Sequence, residues 1–202
     1  ITILLVGSIV YFGVRDGIEP ATKAMVGLLF LIVILLAVRS VLLPGAAEGL
    51  RFYLVPDFSK LSGEVILNAM AQAFFTASLA GAPMIVYGSY LSERADSVVS
   101  AITTSFGNAT VAILAGFAIF PAAFAVGVSP EDTGAGLLFI SVPKIAQQLP
   151  GSIIVVTLFF VAAALAAVST AISMIEVSID ALKYHFCVSR QRIVPILVGI
   201  VA

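Results

Sequence analysis

Charge is scarce in this chain: Lys and Arg number 10 and Asp and Glu 11 among 202 residues, with a formal net charge of −1. No basic patch exists to neutralise phosphates, which excludes nucleic acid as a partner. Cysteine and histidine occur once each. A lone Cys187 excludes an internal disulfide, and with His185 it forms no ligand set for zinc or copper. There is no nucleophile–base set, no phosphate-cradling glycine loop and no paired-carboxylate constellation, so an enzyme reading has no support. The sequence shows no initiator methionine and no charged region ahead of Ile1, so no signal peptide can be read from it. The sequence opens inside one apolar run and stops inside another, and is expected to be a piece of a longer chain.

What is abundant is apolar surface. Hydrophobic residues make up 61% of the chain and mean hydropathy is +1.18, well above the roughly 45–50% apolar content of soluble domains. This composition describes a polytopic membrane protein. Inside a bilayer every backbone polar group needs a partner within the segment, which predicts an all-α fold. The apolar runs place spans near 1–14, 24–43, 65–91, 97–127, 152–182 and 193–202 of a single transmembrane domain, with long connections at 44–64 and 128–151. The first run is shorter than the about 20 residues needed to cross and reads as the tail of a span. Lys and Arg favour one side: Arg15, Lys23, Arg94, Lys183, Arg190 and Arg192, against Arg39, Arg51, Lys60 and Lys144. The bias puts the short turns in the cytoplasm and both long connections outside a plasma (inner) membrane.

The most informative stretch is Gln72-Ala-Phe-Phe-Thr-Ala-Ser-Leu-Ala-Gly-Ala-Pro83, inside the apolar run from Val65 to Leu91. Pro83 has no N–H and crowds the carbonyl four residues back, while Gly81 tolerates unusual dihedrals, so the helix is expected to break there. Carbonyls freed at that depth need protein, water or a bound cation as partners. A broken span is therefore a candidate binding site.

Other polar groups sit where lipid would be unfavourable. Asn108 is deep in its run and reads either as an interhelical hydrogen bond or as a cavity residue. Thr76, Ser78, Ser169 and Thr170 taken singly read as hydroxyls bonded back to their own helix. Together with freed carbonyls they form a set of hard neutral oxygens suited to an alkali cation. Phe74 and Phe75 read as packing, with Phe75 beside the break also a pocket wall. Glu176 and Asp180, a turn apart, read as solvated or paired with Lys183 rather than as proton carriers.

Gln72-Ala-Phe-Phe-Thr-Ala-Ser-Leu through Tyr87-Gly-Ser-Tyr90 resembles the sixth span of the neurotransmitter:sodium symporter family, whose prokaryotic members share the leucine-transporter fold. Gly49–Leu61 resembles the preceding external loop, Asn108 with Ala115–Phe120 the seventh span, Gly136–Pro143 a lid loop and Ala166–Ser173 the eighth span. The match runs in order from the end of a fourth span to the start of a ninth. The resemblance implies an inverted-repeat fold with a broken sixth span, and sodium-coupled symport of an amino acid or related amine by alternating access. It implies two sodium sites: Thr76 and Asn108 at one, and the Ala166 carbonyl with the Ser169 and Thr170 hydroxyls at the other.

By the same correspondence Phe75, Thr76, Ser78, Gly81, Thr170 and Met174 contact substrate, Gln72 lies toward the outer gate and Tyr90 in the inner gate. Gly81 stands where many relatives carry a bulky side chain, which leaves room for a larger, aromatic substrate. Ala112 stands where chloride-dependent relatives carry serine and chloride-independent ones an acid, so it does not choose between them. The inner-gate aspartate of the family falls at Tyr184, with Asp180 one turn earlier. The first and third spans, which supply much of both sites in the family, are missing partners. The competing readings are a proton-coupled or uncoupled transporter of the same fold, and an amino-acid sensor or accessory subunit that does not transport.

Overall fold

The computed structural model describes residues 2–79, 82–92, 95–127, 137–149, 151–186 and 188–201, which are helical with short connections. Helix α1 (Thr2–Tyr11) is followed by a π-helical turn (Val14–Ile18) and by α2 (Glu19–Val41), α3 (Ala46–Leu54) and a 3-10 turn (Phe58–Lys60). Then come α4 (Gly63–Thr76), α5 (Pro83–Ser89), α6 (Ser97–Ala125), a second π turn (Leu137–Ser141), α7 (Val142–Gln148), α8 (Ser152–Phe186) and α9 (Arg190–Val201). Among the described residues three helical stretches are long and apolar enough to cross a membrane: Val14–Val41, Ser97–Ala125 and Ser152–Phe186. At about 1.5 Å per residue all three exceed a hydrocarbon core of about 30 Å, so they tilt or project from it.

Several boundaries follow from local chemistry. The polar stretch at Arg15–Lys23 is itself helical: α2 opens at Glu19, with Pro20 in the first turn where a missing N–H is harmless. Lys23 pairs with Glu19 across one turn at 2.6 Å on an exposed face. The Asp57 carboxylate accepts from the Ser59 backbone N–H at 3.1 Å and from its hydroxyl at 2.5 Å, capping the 3-10 turn. Those two hydrogen bonds, and then Lys60, hold the Asp57 carboxyl below the usual carboxylate range.

The contacts divide the chain into two compact units. One comprises Ile1–Gly27, Met70–Ser100 and Ala164–Ala202, the other Leu28–Ala69 and Ala101–Ala163. In the first, Val6 and Val10 of α1 meet Ile172 and Ile179 of α8, with Ile18, Ile193 and Val194 closing the cluster. Val6 and Val10 are one turn apart and Ile172 and Ile179 two turns, so each helix presents one stripe. Lipid is as apolar as these side chains, so the gain comes from close packing rather than from leaving water.

In the second unit, Ala122 and Ala123 near the end of α6 pack with Ile145, Ala146, Leu149 and Val155, which seats α7 on α6. A further contact of that unit is made by α3. Tyr53 stacks on Phe120 with ring centroids 5.0 Å apart, lies edge-on to Phe117, and donates to the Ile113 carbonyl at 3.3 Å. Gly49 and Gly116 permit this approach. A Cβ at Gly49 would come within 2.5 Å of the Phe120 carbonyl oxygen, and one at Gly116 would overlap the Tyr53 ring.

Candidate functional site

The interruption between α4 and α5 falls within the stretch that Gly81 and Pro83 mark in the sequence, but its cause is different in detail. Helix α4 stops at Thr76, and Ser78 adopts a left-handed conformation with φ 56°. The Leu79 N–H donates to the Phe74 carbonyl at 3.0 Å and the Ser78 N–H to the Phe75 carbonyl at 3.0 Å. These two bonds with a left-handed residue between them are a Schellman cap, with serine where glycine is usual. Pro83 does not disrupt a helix from within; it opens α5 at its first turn. Gly81 lies outside the described residues.

Around this break Phe75, Thr76 and Ser78 are exposed, Phe75 to 73%. The Thr76 hydroxyl donates to the Gln72 carbonyl at 2.7 Å and accepts from the Gln72 amide at 3.3 Å, so the two residues are joined on one face of α4. Asn108 is half-buried on α6, in the other compact unit.

On α8 three oxygens converge. Ser169 Oγ and Thr170 Oγ1 each donate to the Ala166 carbonyl at 2.9 Å. Both hydroxyl protons go to one carbonyl, which leaves hydroxyl lone pairs directed away from it. The donor set is neutral, hard and clustered, and it fits an alkali cation once the two hydroxyls rotate off the carbonyl. Among the described residues no group of three or more His, Cys, Asp or Glu could hold a metal ion. Met174, one turn beyond Thr170, is 58% exposed.

A second cluster lies further along α8. Tyr90, at the end of α5, has its hydroxyl 2.9 Å from Glu176 Oε1 and 3.1 Å from Asp180 Oδ1. Glu176 is fully buried. Its carboxylate meets the Arg190 guanidinium through both oxygens, with Nη1 to Oε1 at 2.9 Å and Nη2 to Oε2 closer still. Arg190 Nε donates to the Val10 carbonyl at 2.8 Å, which ties α9, α8 and α1 together. This corrects the sequence expectation of a solvated Glu176 or a pairing with Lys183. The reach that matters is across the turn after α8, where α9 folds back and presents Arg190 to the buried face; Lys183 is on an exposed face of α8 itself. A glutamate deep in an apolar run signals a buried partner, but sequence spacing does not name it. Tyr184, near which the sequence resemblance would put an inner-gate aspartate, is 90% exposed.

Residues 1–202 match the sodium:neurotransmitter symporter family. The chain belongs to that family. It is 44% identical over 165 residues to the uncharacterized sodium-dependent transporter YhdH of Bacillus subtilis, covering 82% of this chain and 36% of that protein. It is 30% identical to the sodium-dependent serotonin transporter of Drosophila melanogaster, over 91% of this chain and 32% of that one. Among solved structures it superposes on MhsT in complex with L-phenylalanine with a TM-score of 0.84 and 38% identity, covering 99% of this chain and 45% of MhsT. This family member is thus an integral membrane protein of the leucine-transporter fold with an interrupted sixth span, and its regular elements among the described residues are all helical. It spans between about a third and 45% of the length of these relatives.

Proposed function

We propose that the full protein to which this chain belongs moves an amino acid or related amine across the membrane together with sodium. The observation that carries this reading is the capped break between Thr76 and Pro83, which puts irregular backbone, an exposed aromatic and two hydroxyls at one point of an apolar segment. Irregular backbone at membrane depth is tolerated where it lines a cavity or binds a ligand.

On this reading Phe75, Thr76, Ser78, Gly81, Thr170 and Met174 contact the substrate. Thr76 and Asn108 contribute to one sodium site, and the Ala166 carbonyl with Ser169 and Thr170 to a second. Gln72 works at the outer gate. The Tyr90 contacts with Glu176 and Asp180 hold α5 against α8 at the cytoplasmic end, and opening that side requires them to part. An ion gradient supplies the driving force, since one charge crossing 100 mV is worth about 2.3 kcal/mol.

The substrate we favour has a large apolar side chain. Two considerations support it: by the resemblance glycine stands at position 81 where many relatives carry a bulky side chain, and MhsT, 38% identical, was crystallised with L-phenylalanine. Competition against uptake of a labelled aromatic amino acid by the full-length transporter in proteoliposomes tests this. Excess tryptophan or phenylalanine should suppress uptake at least tenfold more effectively than glycine or alanine. A preference for glycine or alanine would refute the size assignment.

A further inference from the structure

One face of α8 carries both clusters. Ala166, Ser169, Ser173, Glu176 and Asp180 are spaced three, four, three and four residues apart, which aligns them along one side of a helix. Tyr87 and Tyr90 of the α5 segment are three residues apart and share a face. Each reaches this stripe: Tyr90 at Glu176 and Asp180, and Tyr87 at Ser173, to which its hydroxyl donates at 3.2 Å. Ser173 Oγ in turn donates to the Ser169 carbonyl at 3.3 Å. The two bonds form a directed chain in which each hydroxyl proton is used once, from the tyrosine to the serine to the backbone of the turn that presents Ser169 Oγ to the Ala166 carbonyl.

We propose that the Tyr87–Ser173–Ser169 chain is a positioning contact that couples the Ala166/Ser169/Thr170 oxygen cluster to the placement of α5. Tyr87 and Ser173 do not touch the cation; they fix the turn whose hydroxyl does. Both are half-buried, where a hydrogen bond is less exposed to exchange with water. Linkage makes the effect reciprocal: whatever moves α5 off α8 loosens the cluster, and occupancy of the cluster favours α5 seated on α8. The inference rests on the symport reading for the identity of the cation.

The test uses the full-length transporter in proteoliposomes and compares wild type with Tyr87→Phe, Ser173→Ala, the double variant and Ser173→Thr. The readouts are the sodium concentration for half-maximal uptake and the thermal midpoint of the purified protein. One hydrogen bond supports a shift of roughly two- to tenfold. Each single variant should raise the half-saturating sodium concentration by that factor at an unchanged thermal midpoint. The double should shift no more than either single, and Ser173→Thr, which keeps the hydroxyl, should restore wild-type behaviour. Singles within twofold of wild type, or shifts that multiply in the double, would overturn the coupling alone. Uptake by wild type that ignores sodium would overturn the symport reading, and the coupling with it.

Discussion

Replacing Arg190 with alanine is expected to destabilise the full-length protein by about 3–5 kcal/mol, the usual consequence of leaving one member of a buried ion pair alone. The Glu176 side chain is fully buried and the Arg190 side chain 20% exposed, so water cannot take over the lost contacts. The variant also removes the donor to the Val10 carbonyl that ties α1 to α9. Replacing both partners, as Glu176→Met with Arg190→Leu, should recover most of the loss, because no unpaired charge is then left in the core. Thermal unfolding of the purified protein in detergent measures both. A single variant within 1 kcal/mol of wild type would show that the pair does not carry this weight.

The second large effect concerns the oxygen cluster on α8. Removing either hydroxyl by Ser169→Ala or Thr170→Ala deletes one neutral ligand of the proposed second sodium site. A hydrogen bond or ligand contact to a charged group is worth about 1.5–3 kcal/mol, which corresponds to roughly a ten- to hundredfold weaker apparent sodium affinity. The predicted signature is a higher half-saturating sodium concentration with substrate affinity preserved at saturating sodium for Ser169→Ala. Thr170→Ala should shift both, since Thr170 is assigned to substrate as well. Equal sodium dependence in wild type and both variants would remove these residues from the site.

How far the sequence announces this arrangement depends on the range of the interaction. The break after Thr76 is legible because backbone chemistry is local: Gly81 and Pro83 close together in an apolar run mark a place where a helix can stop, although a lone proline need not stop one, as Pro121 inside α6 and Pro195 inside α9 show. Even so, the point of termination is set by a cap at Ser78, and no rule of composition favours serine in a left-handed conformation. The convergence of Ser169 and Thr170 on the Ala166 carbonyl is also legible, since it joins residues three and four apart on one helix. Contacts between helices are not. Arg190 reaches Glu176 only because α9 folds back, Tyr53 reaches Ile113 across 60 positions, and Tyr87 reaches Ser173 across 86. Sequence spacing does not bring such residues together, and for Glu176 it points to Lys183 rather than Arg190.

The central claim is that the break on the sixth span and the polar groups beside it couple sodium to substrate movement. The most direct measurement is amino-acid uptake into proteoliposomes holding the full-length protein, with external sodium replaced by potassium or choline, in wild type, Thr76→Ala and Asn108→Ala. The account predicts uptake that requires sodium in wild type and is lost in both variants at the same sodium concentration. Wild-type uptake that persists without sodium, or substrate binding with no uptake under any gradient, would contradict it.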